Sequence, residues 1–298
     1  MAIRSLKTGV FSRSLLVGNS GANIEVSVDY LVLAGGGGAV YRSDYYAGGG
    51  GAGGFRSSVS PTGGGGTAES TLTLTGGVAY TITVGGGGSF GTEAAEVGTS
   101  GTNSSISGTG ITTVTSTGGG YGSYGNGSSA PNGGNGGSGG GAGTSNGSPY
   151  AAYGGTGTAG QGYDGGDNYA SDAYPSGGGG GAGGAGGDAN TSKAGDGGAG
   201  VSNSITGSAV TYACGGAGVK GYYGATNGSA ATGFSRSANL GMGGQAVGAT
   251  VNTEASGSSG VIVLRATRAA ASTTGSPDYA ISGSYHIYKF TGSGSITF

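Results

Sequence analysis

The sequence has no tryptophan, one cysteine, one histidine, five prolines and only 8% charged residues in 298. Each shortage excludes something. With Cys214 alone there is no intrachain disulfide framework. With His286 alone, a His-based metal site within the chain lacks ligands, and a Ser–His–Asp triad has no spare histidine. No apolar run approaches the roughly 20 residues that a membrane-spanning helix needs, and the start, MAIRSLKTGVFSRSLLVGNS, has too short an apolar stretch for a secretory signal. The formal net charge of -2 and a pI near 5.3, without a basic face, argue against nucleic acid. Two further shortages conflict. Val, Ile, Leu and Phe are too sparse for a conventional core, yet the low net charge and scarce proline are not those of a disordered chain.

What the sequence has instead is glycine, 81 residues of it. Fixing a backbone residue costs on the order of 1–2 kcal/mol, and a glycine run has no side chains to recover that by burial. One net hydrogen bond returns about 0.5–1.5 kcal/mol, so order in such runs must be collective, with nearly every N–H and C=O satisfied by neighbours. The stretch PSGGGGGAGGAGGDA (175–189) shows how. Its Ala182, Ala185 and Asp188 are spaced by three, as are Ala52, Phe55 and Ser58; Asn132, Asn135 and Ser138; and Lys193, Asp196 and Ala199. A period of three belongs to the extended helix with three residues per turn, where every third side chain lines one edge and bare glycine leaves the other two open to close backbone contact. Collagen requires longer, stricter repeats and abundant proline, so the pattern predicts short polyglycine II helices bundled side by side.

Islands of ordinary strand pattern separate the runs. VDYLVLAG (28–35) and GVIVLRA (260–266) are continuous apolar runs of strand length, expected as central strands buried on both faces. TLTLTGGVAYTITV (71–84) alternates and reads as a hairpin with a Gly76-Gly77 turn. NSSISGTGITTVT (103–115) and NSITGSAVTY (203–212) resemble each other as a weak internal repeat, each leading into a glycine run. In SYHIYKFTGSGSITF, His286, Tyr288 and Phe290 share a face, which makes His286 a structural strand residue. The expected fold is mainly β with little or no α: a β-strand layer combined with the polyglycine II bundle, a glycine-rich sandwich. Residues 1–20 read as a leader, 21–268 as the glycine-rich domain and 269–298 as a C-terminal strand unit.

Five tyrosine-bearing insertions interrupt the runs: YRSDYY, YGSYGNGSS, SPYAAYGG, GYDGGDNYASDAY and KGYYGATN. Tyrosine offers an apolar face and a hydroxyl at low entropic cost, which suits recognition; the plainer reading is that the rings cap the bundle ends. Asp164, Asp167 and Asp172 form the one acidic cluster, but their spacing is not a calcium loop and the first two fit an edge row. Cys214, in TYACGGAG, has no nearby basic group to lower its pKa and reads as buried and inert. GxGxxG matches arise by chance here, and none carries the GK[ST] of a phosphate loop.

As an ordered set, VDYLVLAGGGG, GGGGAGGFRSS, TLTLTGGVAYTITVGGGG, GGAGVSNSITGSAVTYACGGAG and SSGVIVLRA resemble the glycine-rich domain of tailed-phage fibres, especially of marine and cyanobacterial phages. The chain is also similar to long-tail-fibre tip adhesins built from bundled polyglycine II helices with receptor-binding loops. That resemblance implies a virion protein, assembled in the host cytoplasm and exposed on the particle, whose inter-glycine loops bind a host surface protein or glycan. The loop positions are Tyr41, Arg42, Asp44, Tyr45, Tyr46, Tyr121, Tyr124, Tyr150, Tyr153, Tyr163, Asp164, Tyr169, Tyr174, Tyr222 and Tyr223. The opening AIRSLKTGVFSRSLLVGN is similar to a leader of such phages' virion proteins, implying docking to other virion proteins through Arg4, Lys7, Phe11, Arg13, Leu15 and Leu16. The YHIYKFTGSGSITF unit, which in that group leads into VDYLVLAGGGG, follows it here. The resemblance further implies a homo-oligomer. The expectation is a non-enzyme with no cofactor, no metal, no nucleic-acid partner and no membrane insertion. A purely structural decoration or fibre subunit is the alternative. An ice-binding protein is a further reading that the interrupted side-chain rows disfavour.

Overall fold

The computed structural model describes residues 24–42, 46–92, 97–125, 129–145, 150–170, 174–220, 226–235, 237–248 and 253–298. Arg4, Lys7, Phe11, Arg13, Leu15 and Leu16, the residues expected to dock, lie outside them. The described chain is almost entirely β. Its strands are β1 (Glu25–Leu33), β2 (Tyr41–Arg42), β3 (Phe55–Ser57), β4 (Leu72–Thr75), β5 (Ala79–Thr83), β6 (Ser104–Ser107), β7 (Val114–Ser116) and β8 (Val201–Asn203). They continue with β9 (Val210–Tyr212), β10 (Val247–Gly248), β11 (Val261–Ala266), β12 (Ser272–Thr274), β13 (Asp278–Ser282), β14 (Tyr285–Phe290) and β15 (Gly294–Thr297).

Continuous apolar sequence puts β1 and β11 side by side at the centre, antiparallel from Val28↔Ala266 to Leu33↔Val261. Their sheet runs β13-β14-β11-β1-β3, with β4 also on β1, and a second sheet runs β12-β15-β5-β6-β7. Between the two sheets lie Val28, Tyr30, Val32, Ile262, Leu264, Tyr288 and Phe290 of the first, and Tyr80, Ile82, Ile106 and Ile296 of the second. The other face of β1 and β11, carrying Leu31, Leu33, Val261 and Val263, packs on Phe55, Ala182, Ile205 and Tyr212. Both faces are covered from Tyr30 to Leu33 and from Val261 to Leu264, which is why the sequence does not alternate there, whereas the first half of β1 alternates, with Glu25 and Ser27 exposed. The C-terminal residues 269–298 supply strands to both sheets: β13 and β14 to the first, β12 and β15 to the second.

One expectation fails. TLTLTGGVAYTITV is not a hairpin: β4 pairs with β1, and β5 pairs with β15 and β6 in the other sheet. Gly76-Gly77 is still a turn, but it is a corner between sheets. The Gly76 N–H bonds to the Ile24 carbonyl and the Gly77 N–H to that of Phe298. Leu74, Tyr80 and Ile82 all reach the shared core from opposite sides. Alternation specified the buried face of each strand and said nothing of its partner. The two weakly similar segments are both hairpins, β6–β7 and β8–β9.

The glycine runs are bound through their main chains. From Ala34 to Ala39 successive N–H groups bond to the carbonyls of Gly54, Thr102, Ser258, Gly51, Thr99 and Ala255. Three neighbouring runs are thus addressed in rotation, and each is met again three residues later. A period of three in the partners is what a helix with three residues per turn would give. The carbonyls of the same run accept from Gly88 and Gly91, from Gly119 and Gly122, and from Gly244, giving contact with three more runs. Runs 48–54 and 177–182 behave alike. The latter donates to Ala142, Gly187, Gly216, Gly139, Gly184 and Ala213, and accepts from Gly49, Gly166, Gly198, Ala52 and Tyr163. The stretch with fewest side chains is therefore interior, and Gly177 to Ala182 are all buried.

At the border of sheet and bundle, Arg56 of β3 grips Glu69 with Nε to Oε1 at 2.8 Å and Nη2 to Oε2, while the Tyr30 hydroxyl donates to Glu69 Oε2 at 2.7 Å. Burial alone would raise the Glu69 pKa, but the bonds from Arg56 and Tyr30 outweigh it and hold the carboxyl below its ordinary value. A depressed carboxylate stabilises fully above its unfolded pKa, about 4.3, and that contribution is lost as pH falls through the lower folded value. Glu69→Gln is expected to lower stability at neutral pH and to shrink the loss on acidification below that pH. Urea unfolding as a function of pH checks it.

Candidate functional site

The insertions between runs fall into two groups. Tyr46 and Tyr124 are 1% and 2% exposed and pack with Ala39, Val40, Val219 and Ala246. Tyr174 stands edge-on to Tyr46, with ring centroids 5.7 Å apart, and Tyr124 lies 6.3 Å from Tyr46. These three of the sequence-derived recognition residues are packing residues: a bundle end without bulky aliphatic residues uses aromatic rings to exclude water. Tyr121 is half-buried, its ring lying where a Cβ on Gly134 would be. Tyr163, also half-buried, sets its hydroxyl over Gly65. Asp44, Tyr45, Tyr222, Tyr223 and Asp172 lie outside the described residues, as do the side chains of Tyr41 and Arg42.

The second group is exposed. Tyr150, Tyr153 and Tyr169 are 46%, 60% and 40% accessible. They lie on two neighbouring segments joined by Asn168. Its Nδ2 donates to the Tyr150 carbonyl at 3.0 Å, its Oδ1 accepts from the Ala152 N–H at 2.9 Å, and Tyr169 follows it in the chain.

Residues 152–157 form an outermost glycine run. An outer run faces solvent where an inner one finds further runs, so its outward N–H groups lack main-chain partners. Here Asx side chains supply them. Asn132 and Asn135 accept from Tyr153 N–H at 2.9 Å and Thr156 N–H at 2.8 Å. Asp167 and Asp164 accept from Gly154 N–H at 2.8 Å and Gly157 N–H at 2.7 Å. Gly155 N–H turns inward to the Gly140 carbonyl. Asp188 repeats the device one run further on, accepting from Asp167 N–H at 2.9 Å. The carboxylates serve as caps, in the manner of Asx residues at helix N-termini. Asp164 belongs to this framework, as its three-residue spacing from Asp167 indicates. Asn132, Asn135, Asp167 and Asn168 were absent from the recognition set read from sequence, although the two pairs spaced by three were visible. Their function is to hold the tyrosine-bearing run in place.

Cys214 is fully buried, and burial pushes its pKa up to about 11, which leaves the thiol protonated at neutral pH. Its own N–H is directed at Met242 Sδ. Among the described residues, no group of three or more His, Cys, Asp or Glu converges as a metal cage would require, and no helix is long and apolar enough to cross a membrane.

Among curated proteins none matches the sequence. Residues 18–267 match the family described as the glycine-rich domain, and that span takes in both central strands and every glycine run; the chain belongs to this family.

Proposed function

We propose that this chain is a structural protein of a tailed-phage particle, a tail fibre or receptor-binding adhesin, whose polyglycine II scaffold presents Tyr150, Tyr153 and Tyr169 to a host surface protein or glycan. The observation that carries the reading is the pinned outer run. Tyr153 stands on main chain whose N–H groups, at Ala152, Tyr153, Gly154, Thr156 and Gly157, are individually held by Asn168, Asn132, Asp167, Asn135 and Asp164, while the Tyr150 carbonyl accepts from Asn168 and the Tyr169 N–H bonds to the Pro175 carbonyl. Such pinning lowers the ordering cost of binding, and exposed tyrosines, each with an apolar face and a hydroxyl, suit polar, partly apolar targets. The sequence resemblance to phage fibre proteins gives the setting, with docking through the N-terminal leader to other virion proteins.

Replacing Tyr150, Tyr153 and Tyr169 together by alanine is expected to reduce adsorption to host cells by about a hundredfold, near 2.7 kcal/mol, with the unfolding midpoint unchanged. Undiminished adsorption by a folded triple variant would remove the recognition role. The packed trio Tyr46, Tyr124 and Tyr174 favours a second reading, a fibre or decoration subunit whose tyrosines serve assembly alone. Under that reading the triple variant adsorbs normally, and deletion of the leader abolishes incorporation into particles without affecting folding.

A further inference from the structure

The first sheet treats its two edges differently. On the β3 side the edge is closed: Phe55 N–H bonds to the Gln161 carbonyl, the Phe55 carbonyl accepts from Gly63, and the Ser57 carbonyl accepts from Glu69. On the other side β13 is last in the sheet, and among the described residues no strand pairs beyond it. Free edges are normally guarded by lysine, proline or a bulge. Here Pro277 and Asp278 stand only at the start, the register with β14 is unbroken, and Tyr279 and Ile281 are 52% and 62% exposed.

The polarity of that edge follows from the turn. Ser282 and Tyr285 flank the two residues Gly283 and Ser284, and Gly283 has φ 59°. A two-residue hairpin turn makes its flanking pair a hydrogen-bonded one, and such pairs alternate along the ladder. Ser282, Ala280 and Asp278 therefore direct their main-chain groups to β14, and Tyr279 and Ile281 direct theirs outward. The strand is its own complement. In antiparallel contact about a twofold axis at Ala280, Tyr279 faces Ile281 of the second copy and Ile281 faces its Tyr279. All four residues are outward-directed, so four N–H to C=O bonds form. Asp278 meets a serine, so no like charges oppose one another. Tyr279 and Ile281 share the face of their cross-strand partners Tyr288 and His286, so the two copies would join their apolar residues in one strip, as aromatic and β-branched cross-strand pairs do.

We propose that this chain associates with a second copy through the outer edge of β13, in antiparallel register centred on Ala280. The proposal is independent of what the tyrosine surface binds. Sedimentation of the full chain over a concentration series is expected to show a dimer, and Ile281→Lys to weaken it at least about tenfold. In a separate arm, Ala280→Cys is expected to give a disulfide-linked dimer on oxidation. Facing residues of a non-hydrogen-bonded pair have Cα atoms about 4.5 Å apart, within disulfide reach. Ser282→Cys, opposite Asp278, is expected to remain unlinked. A wild-type chain that stays monomeric to about 100 μM overturns the proposal, as does a dimer that Ile281→Lys leaves intact. Failure of Ala280→Cys to cross-link overturns the stated register whether or not the lysine variant folds.

Discussion

Gly179→Ala is expected to lower stability by about 3 kcal/mol or more, a fall in Tm of roughly 5–10 °C for a chain of this size. A Cβ at Gly179 would lie 2.0 Å from the Gly50 carbonyl oxygen and 2.5 Å from its carbon. Those atoms are main chain in a run that is itself bonded on all sides, so neither partner can yield as a side-chain end could. Relief would require separating runs 48–54 and 177–182, which also breaks the bonds from Gly49 to Gly177 and from Ala52 to Gly180. Gly184, five residues later, is the control. Its Cβ would meet nothing closer than Ala199 Cβ at 3.5 Å. Gly184→Ala is expected to be neutral or to stabilise by about 0.4–1 kcal/mol through the unfolded chain. Calorimetry on both variants decides the matter. Equal midpoints would mean that close main-chain packing does not hold the bundle together.

That contrast also marks what sequence can convey about this fold. A residue spacing of three in the sequence matches the period with which the main-chain partners of these runs recur, and Ala182 and Asp188 keep that spacing at a buried and an exposed position. The continuous apolar runs identify β1 and β11 as central, because burial on both faces removes any need for polar alternation. Partner choice was less legible. Leu72 and Leu74 alternate as well in a hairpin as in two sheets joined at a corner, and the difference lies in the distant strands β1 and β15 that receive β4 and β5. The tyrosine-bearing insertions were legible only as composition. Tyr46 and Tyr153 sit in similar glycine-rich surroundings in sequence, yet one is 1% and the other 60% exposed. Whether an insertion folds inward depends on the hollow left by runs far away in the chain. The Asx caps lay between these cases: their period was visible, but their acceptor role required knowing that run 152–157 is outermost.

Tyr46 and Tyr153 therefore give opposite expectations, and together they separate scaffold from surface. Tyr46→Ala removes a fully buried ring that touches Tyr124 and Tyr174, in a cluster whose other buried members are alanines and valines, with Phe90 packed against it. Alanine, valine and glycine cannot move far enough to refill the volume, so the cavity persists, and the expected cost is about 3–5 kcal/mol, as for other large aromatic deletions. Because the neighbouring runs 34–39 and 241–246 contribute Ala39 and Ala246 to the cluster, the loss is expected as a lowered midpoint for the whole domain, seen by urea unfolding. Tyr153→Ala removes a ring from solvent while its N–H remains bonded to Asn132, so stability is expected to move by no more than about 0.5 kcal/mol. Host adsorption is expected to follow the reverse order: reduced in Tyr153→Ala, and retained by Tyr46→Ala at temperatures where it is folded. A stable Tyr46→Ala variant that no longer adsorbs would move the recognition surface to the Tyr46 end of the bundle, and would mean that a ring packed at the centre of that cluster is released on contact with the host.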